Sequence, residues 1–129
     1  MHSKHVVLWG REFDLRISYD HYDDDKIPND MTEACDKIID SWDAVESALP
    51  ELKRYCLSHN AEDVERLYGL RDVDNIFRIV TPDCLFVQQS TRVRTVSLML
   101  NYRFDLEEGL ALRFVNETLA SIGPQSDVF

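Results

Sequence analysis

The chain has 129 residues, 44% of them hydrophobic and 29% charged, with four Gly, four Pro and a net charge of −10. Length and composition describe one domain, residues 1–129, with side chains enough for a core, and they exclude a disordered chain. Neither nucleic acid nor an anionic membrane is an expected partner of so acidic a chain, and without a run of about 18 apolar residues no membrane span is expected.

The opening MHSKHVVLWG lacks the long apolar segment of a signal peptide. Its HVVLW (5–9) is a short β-rich run, and Gly10, Arg11 and Glu12 follow as a turn. FDLRISYD (13–20) then alternates strictly. Phe13, Leu15, Ile17 and Tyr19 point one way and the polar residues the other, as in a half-buried strand. The two runs read as a hairpin. After the acidic loop DHYDDDKIPND (20–30), helical spacing begins near Met31. Apolar residues at 31, 34, 35, 38, 39, 42, 45, 48 and 49 share one face. Asp30 is the expected N-cap, with Glu33 completing a capping box. Pro50 is expected to open a second helix, running to about Ser58 and burying Leu52, Tyr55 and Cys56. AEDVERLYGL (61–70) holds a further helical turn that Gly69 ends.

From Asn75 the pattern changes. IFRIV (76–80) fits a helical turn or a strand, CLFVQQ (84–89) fits a strand, and Thr81-Pro82-Asp83 lies between them. VRTVSLMLNYRF (93–104) is a long β run with Val96, Leu98, Leu100, Tyr102 and Phe104 on one face. Asp105–Gly109 is a hairpin loop whose glycine suits positive φ. LALRFV (110–115), a turn at Asn116-Glu117 and TLASIG (118–123) complete a meander, and the tail QSDVF is expected to fray or to tuck on an edge. A β-hairpin, two to three helices and a β-meander make an α+β domain. Its antiparallel sheet is expected to carry the helices on one face.

Charge is the feature with functional content. Residues 20–51 hold eleven acids against two lysines, so a net −9 of the chain's −10 sits in one block. On a helical wheel, Asp30, Glu33, Asp36, Asp40, Asp43 and Glu46 fill the arc opposite the apolar set. They stand three or four residues apart and are direct neighbours. Each like-charge pair costs roughly 0.2–0.5 kcal/mol in an isolated helix, and only Lys37 interrupts the series. One reading is a solvated face that serves solubility. The other is an acidic docking surface, continuous with Asp23, Asp24 and Asp25, for a basic protein.

The remaining chemistry is sparse. A calcium loop needs alternating oxygen ligands, a glycine at its sharp turn and a distal glutamate. Here Asp23–Asp25 are consecutive, no glycine intervenes, and the twelfth position from Asp20 is Met31. No metal and no cofactor is expected. The four histidines form no H-x-x-x-H pair, no serine sits in G-x-S-x-G, and no phosphate-binding glycine loop is present. Cys35, Cys56 and Cys84 form no C-x-x-C pair. They read as buried thiols of a reducing compartment, so the cytoplasm is the expected location. The strand-borne Arg92, Arg94, Arg103 and Arg113 are expected to pair with the acidic half of the chain.

Asn101, Tyr102, Phe104, Asp105, Glu107, Gly109 and Ala111, then Phe114, Asn116-Glu117, Ile122-Gly123 and Gln125, form the pattern N-Y-x-F-D-x-E-x-G-x-A…N-E…I-G-x-Q. This resembles the C-terminal pattern of an uncharacterised bacterial family of small domains of unknown function. NIFRIVTPDCLFV (75–87) and WGREFDLRISYDHYDDDKIP (9–28) resemble further segments of it, whereas the middle helices match in periodicity alone. The resemblance implies no established activity and no catalytic residues. In size and charge the chain also resembles the immunity proteins of bacterial toxin systems.

The expected function is therefore that of a non-enzymatic binding protein. It would be an immunity or inhibitor protein that meets a basic toxin domain through Asp23–Asp25, Asp30, Glu33, Asp36, Asp40, Asp43 and Glu46. Two alternatives remain open at this point. One is a small metal-dependent hydrolase using Asp20, His21 and nearby carboxylates. The other is a module that forms a homodimer through a sheet edge, with exposed apolar residues on the 84–104 strands.

Overall fold

The computed structural model describes residues 2–21, 26–69, 73, 75–89 and 92–128. The first strands are β1 (His2–Leu8) and β2 (Arg11–Tyr19). Four helices follow, α1 (Asn29–Asp40), α2 (Trp42–Glu46), α3 (Leu49–His59) and α4 (Ala61–Tyr68). Then come β3 (Val80–Val87), β4 (Thr95–Tyr102), β5 (Leu110–Val115) and β6 (Thr118–Gly123), with 3-10 turns at Ile76–Arg78 and Gln125–Asp127. The fold is α+β, with an N-terminal hairpin and a C-terminal antiparallel meander, as the sequence reads.

The strands form one six-stranded sheet in chain order. β2 and β3 are parallel, with Arg16 opposite Cys84 and Tyr19 opposite Val87; the other pairings are antiparallel. The parallel step departs from the expected antiparallel sheet and has a plain cause. Parallel neighbours need a long crossover, and α1–α4 form it.

The β1–β2 turn is tighter than expected. It is the pair Trp9-Gly10, both at positive φ (50° and 86°), and β2 begins at Arg11. This two-residue connection twists in the sense that the strands require. Tryptophan is a poor residue for it, and its indole Nε1 donates to the Glu46 carbonyl at 3.1 Å. Asn116-Glu117, at φ 47° and 65°, closes the β5–β6 hairpin in the same manner.

The core lies between the helices and one face of the sheet. Leu15, Leu85, Leu98, Leu100, Leu112 and Phe114 from the strands meet Met31, Ile38, Val45, Leu52, Cys56 and Val64 from the helices. Tyr102 is 2% exposed, and its hydroxyl donates to Asn60 Oδ1 at 2.7 Å. Asn60 in turn donates from Nδ2 to Asp63 Oδ2 at 3.1 Å, tying β4 to the α3–α4 junction. Tyr102→Phe should cost about 1–2 kcal/mol in urea unfolding, because a part-buried acceptor loses its donor. The opposite face carries a small cluster of Cys84, Met99, Ala111 and Val128. The tail thus packs across that face: Val128 is buried, and Gln125 Nε2 donates to the Leu100 carbonyl at 3.0 Å.

Several local expectations are corrected. Helical spacing through Leu49 predicts one helix, but the chain breaks at Ser41 (φ −106°, ψ 33°) into α1 and α2. The break lets Trp42 turn to the sheet and donate from Nε1 to the Val7 carbonyl at 2.8 Å. Asp30 is not the N-cap. Pro28 occupies that position without a side-chain cap, and Asp30 sits in the first turn with Oδ1 accepting from the Met31 N–H at 3.0 Å. Thr81-Pro82-Asp83 is no boundary between separate elements. It lies within β3, where the register shifts between Pro82 and Cys84, an irregularity that accommodates a residue lacking an N–H. Finally, β3 and β4, where exposed apolar residues are expected, are inner strands with largely buried apolar side chains, while Val93 between them is exposed.

The short α2 has an unusual position. It lies against β6, while its Trp42 bonds β1. These strands are the two ends of the sheet. Laid flat, six strands would put the ends about 24 Å apart, whereas a five-residue helix is about 7.5 Å long. α2 thus touches both margins of the sheet, β6 by packing and β1 through the Trp42 indole.

Candidate functional site

Asp30, Glu33, Asp36 and Asp40 follow one another along the solvent side of α1, opposite buried Met31, Ala34, Cys35 and Ile38. Amphipathic spacing alone produces this separation. All four are exposed, as is Asp43 on α2. Glu46 differs: it is half-buried, and its carbonyl accepts the Trp9 indole. The break at Ser41 puts Asp43 and Glu46 on a second axis, so the surface is a ridge of two segments and not one helix face. Asp23, Asp24 and Asp25 lie outside the described residues.

Among the described residues, the ion pairs take none of the ridge acids. Arg94 is committed elsewhere: its Nε and Nη2 hold both oxygens of Glu117 at 2.9 and 3.0 Å. That bond, seconded by Glu117 and Glu33 through space, raises the arginine's pKa. A cleft of about 160 Å³ joins the ridge's N-terminal end to Arg92 and Arg94. Asp40 closes α1 at the negative end of the helix dipole, where a carboxylate is unfavourable by roughly 0.3–1 kcal/mol.

The family model for a domain of unknown function, DUF6985, matches residues 2–129, nearly the whole chain. The chain belongs to this family. No curated protein and no solved structure matches it.

Elsewhere in this DUF6985 domain, the three cysteines are free and buried. Burial pushes each thiol's pKa up, that of Cys56 to about 11, so these side chains stay protonated at neutral pH. Among the described residues no group of His, Cys, Asp and Glu is arranged to hold a metal ion. Nor is any helix among them long and apolar enough to cross a membrane.

On the outer side of the hairpin, His5 lies between Asp14 (2.9 Å to Nδ1) and Glu12 (3.2 Å to Nε2). The hydrogen bond to Asp14, then that to Glu12, raises its pKa above the usual 6.5. A raised histidine contributes its stability below pH 6.5 and loses it as pH rises through the folded value. An NMR titration should place the His5 midpoint above 6.5, and Asp14→Asn should lower it.

Sequence reasoning misses one further feature. Glu51, Arg54, Tyr55 and Ser58 of α3 face Leu119–Ile122 of β6 across an open groove of about 460 Å³. More than sixty positions separate its two walls, and no local pattern announces that they meet.

Proposed function

We propose that this DUF6985 domain is a non-enzymatic binding protein of the immunity or inhibitor type. In this reading it acts in the bacterial cytoplasm and neutralises a cationic toxin by covering the toxin's basic surface. The observation that carries the reading is the ridge of Asp30, Glu33, Asp36, Asp40 and Asp43. These five acids are exposed, and no cation of the described chain neutralises them through an ion pair. Asp40 stands where it weakens its own helix. A surface selected for solubility alone tolerates such costs but has no need to concentrate them on one ridge. Complementary charge of this kind speeds encounter and selects the partner.

The test is capture of the product of the neighbouring reading frame, followed by titration of the pair at several salt concentrations. The reading expects a basic partner whose association rate falls steeply with salt. A neutral or acidic partner, or an association rate indifferent to salt, rejects it.

A further inference from the structure

The two edges of the sheet are not alike. β1 carries Lys4, His2 and His5, and its Val7 carbonyl is occupied by the Trp42 indole. Charges and side-chain partners of this kind guard an edge strand against added strands. β6, TLASIG, has no charged residue and no proline. Beside it runs the open groove to α3, with the side chains of Tyr55, Leu119 and Ile122 half-buried along it. The Tyr55 ring is held by stacking on His59, with centroids 3.9 Å apart. An edge strand next to a helix is the arrangement that receives an extended peptide, with backbone bonds for affinity and side-chain pockets for selection.

Two observations decide the occupant. The first is a register shift in β6: Ser121 lies opposite Arg113 and Leu119 opposite Phe114, so Ala120 is an extra residue. Such a bulge interrupts a long ladder. It favours a short added strand over the full edge of a second copy. The second is charge. Burial raises the Tyr55 hydroxyl's pKa, with smaller contributions from Cys56, Asp127 and Asp105. Asp127 also stands over the end of β6, since a Cβ at Gly123 would lie 2.7 Å from its Oδ2. Arg54 is already paired with Glu51 within α3. A cation at this end of β6 would find the Asp127 carboxylate without competition from Arg54.

We propose that the groove between α3 and β6 binds a short extended peptide that adds a strand beside Ser121–Gly123. Its alternate apolar side chains seat against Tyr55, Leu119 and Ile122, and a lysine or arginine between them, on the other face of the added strand, meets Asp127. This surface is distinct from the acidic ridge on α1 and α2, and its use does not depend on the ridge.

The experiment titrates the full chain, labelled with nitrogen-15, with the blocked hexapeptide Lys-Val-Lys-Val-Lys-Val. Two controls are the glutamate counterpart and the same lysine peptide N-methylated at alternate residues, which removes strand-pairing donors. The expected shifts map to residues 118–123 and 51–58. Both controls bind at least about ten-fold more weakly, the loss of one or two backbone or charge-assisted bonds. Ser58→Arg, a change at an exposed position on the groove wall, weakens the lysine peptide to the same degree. The triple variant Asp36→Lys, Asp40→Lys, Asp43→Lys leaves it within two-fold. Equal binding of either control overturns the proposal. So do shifts centred on α1, indifference to Ser58→Arg, or a doubled solution mass that Ser58→Arg abolishes, which would assign the groove to a second copy.

Discussion

Reversing Asp36, Asp40 and Asp43 to lysine should lower affinity for the cationic partner at least about 100-fold at low salt, roughly 1 kcal/mol for each reversed charge. The net charge moves from −10 to −4, and the three positions are exposed, so the core is untouched. The loss should appear mainly as slower association and as a flatter dependence on salt. Stability should move in the opposite direction. The Glu33–Asp36 repulsion becomes an attraction between Glu33 and the new lysine, positions 36, 37 and 40 become like-charged lysines in turn, and the gain comes from a lysine at position 40, which meets the helix dipole favourably by about 0.3–1 kcal/mol. A variant that is more stable and binds less well is the signature of charges retained for a partner. If the triple variant gains stability while binding and salt dependence stay unchanged, the ridge is a solvated face and the proposed function falls.

Gly109→Ala should be the most damaging single methyl in the chain, costing about 3 kcal/mol. Gly109 is buried at φ +59°, where an L side chain costs roughly 1–2 kcal/mol. The added Cβ would also stand 2.6 Å from Gln125 Nε2 and 2.7 Å from the Leu100 carbonyl. Backbone cannot yield as a flexible side chain does, and overpacking of this kind costs about 1–3 kcal/mol. Gly10→Ala is the matched control. Its φ is +86°, yet nothing lies within 4 Å of the added atom, so it isolates the conformational cost. Urea unfolding should find Gly109→Ala at least about 1 kcal/mol worse than Gly10→Ala. Equal losses would show that the crowding is relieved without penalty. Gln125 holds the tail to β4, so the larger loss should come with exposure of Val128 and protease sensitivity at the C-terminus.

Much of this fold is legible from local pattern. Strict alternation over 13–19 reports a strand with one buried face, and apolar spacing over 31–39 reports one stripe of a helix. Gly109 and Asn116-Glu117 lie in the turns the sequence assigns them, because positive φ leaves a strong chemical mark. What fails locally depends on distant partners. The break at Ser41 comes with Trp42 reaching the Val7 carbonyl, thirty-five residues away. The parallel pairing of β2 with β3 is invisible because a strand's residues do not record its neighbour's direction. The tail's burial depends on a sheet face whose apolar residues, Cys84, Met99 and Ala111, carry no signal singly. For the candidate site the division is similar. The acids of α1 are readable on a wheel, while the half-burial of Glu46 follows from the break at Ser41 and the turn toward the sheet.

The position of α2 between the two ends of the sheet has a consequence for how the domain opens. The Trp9 and Trp42 indoles bond across the same junction in opposite directions, one from the hairpin to α2 and one from α2 to the hairpin. Four strands lie between β1 and β6, yet both meet this one helix. Loosening α2 therefore releases both margins of the sheet at once, and their amide protons should exchange with solvent as a single cooperative unit.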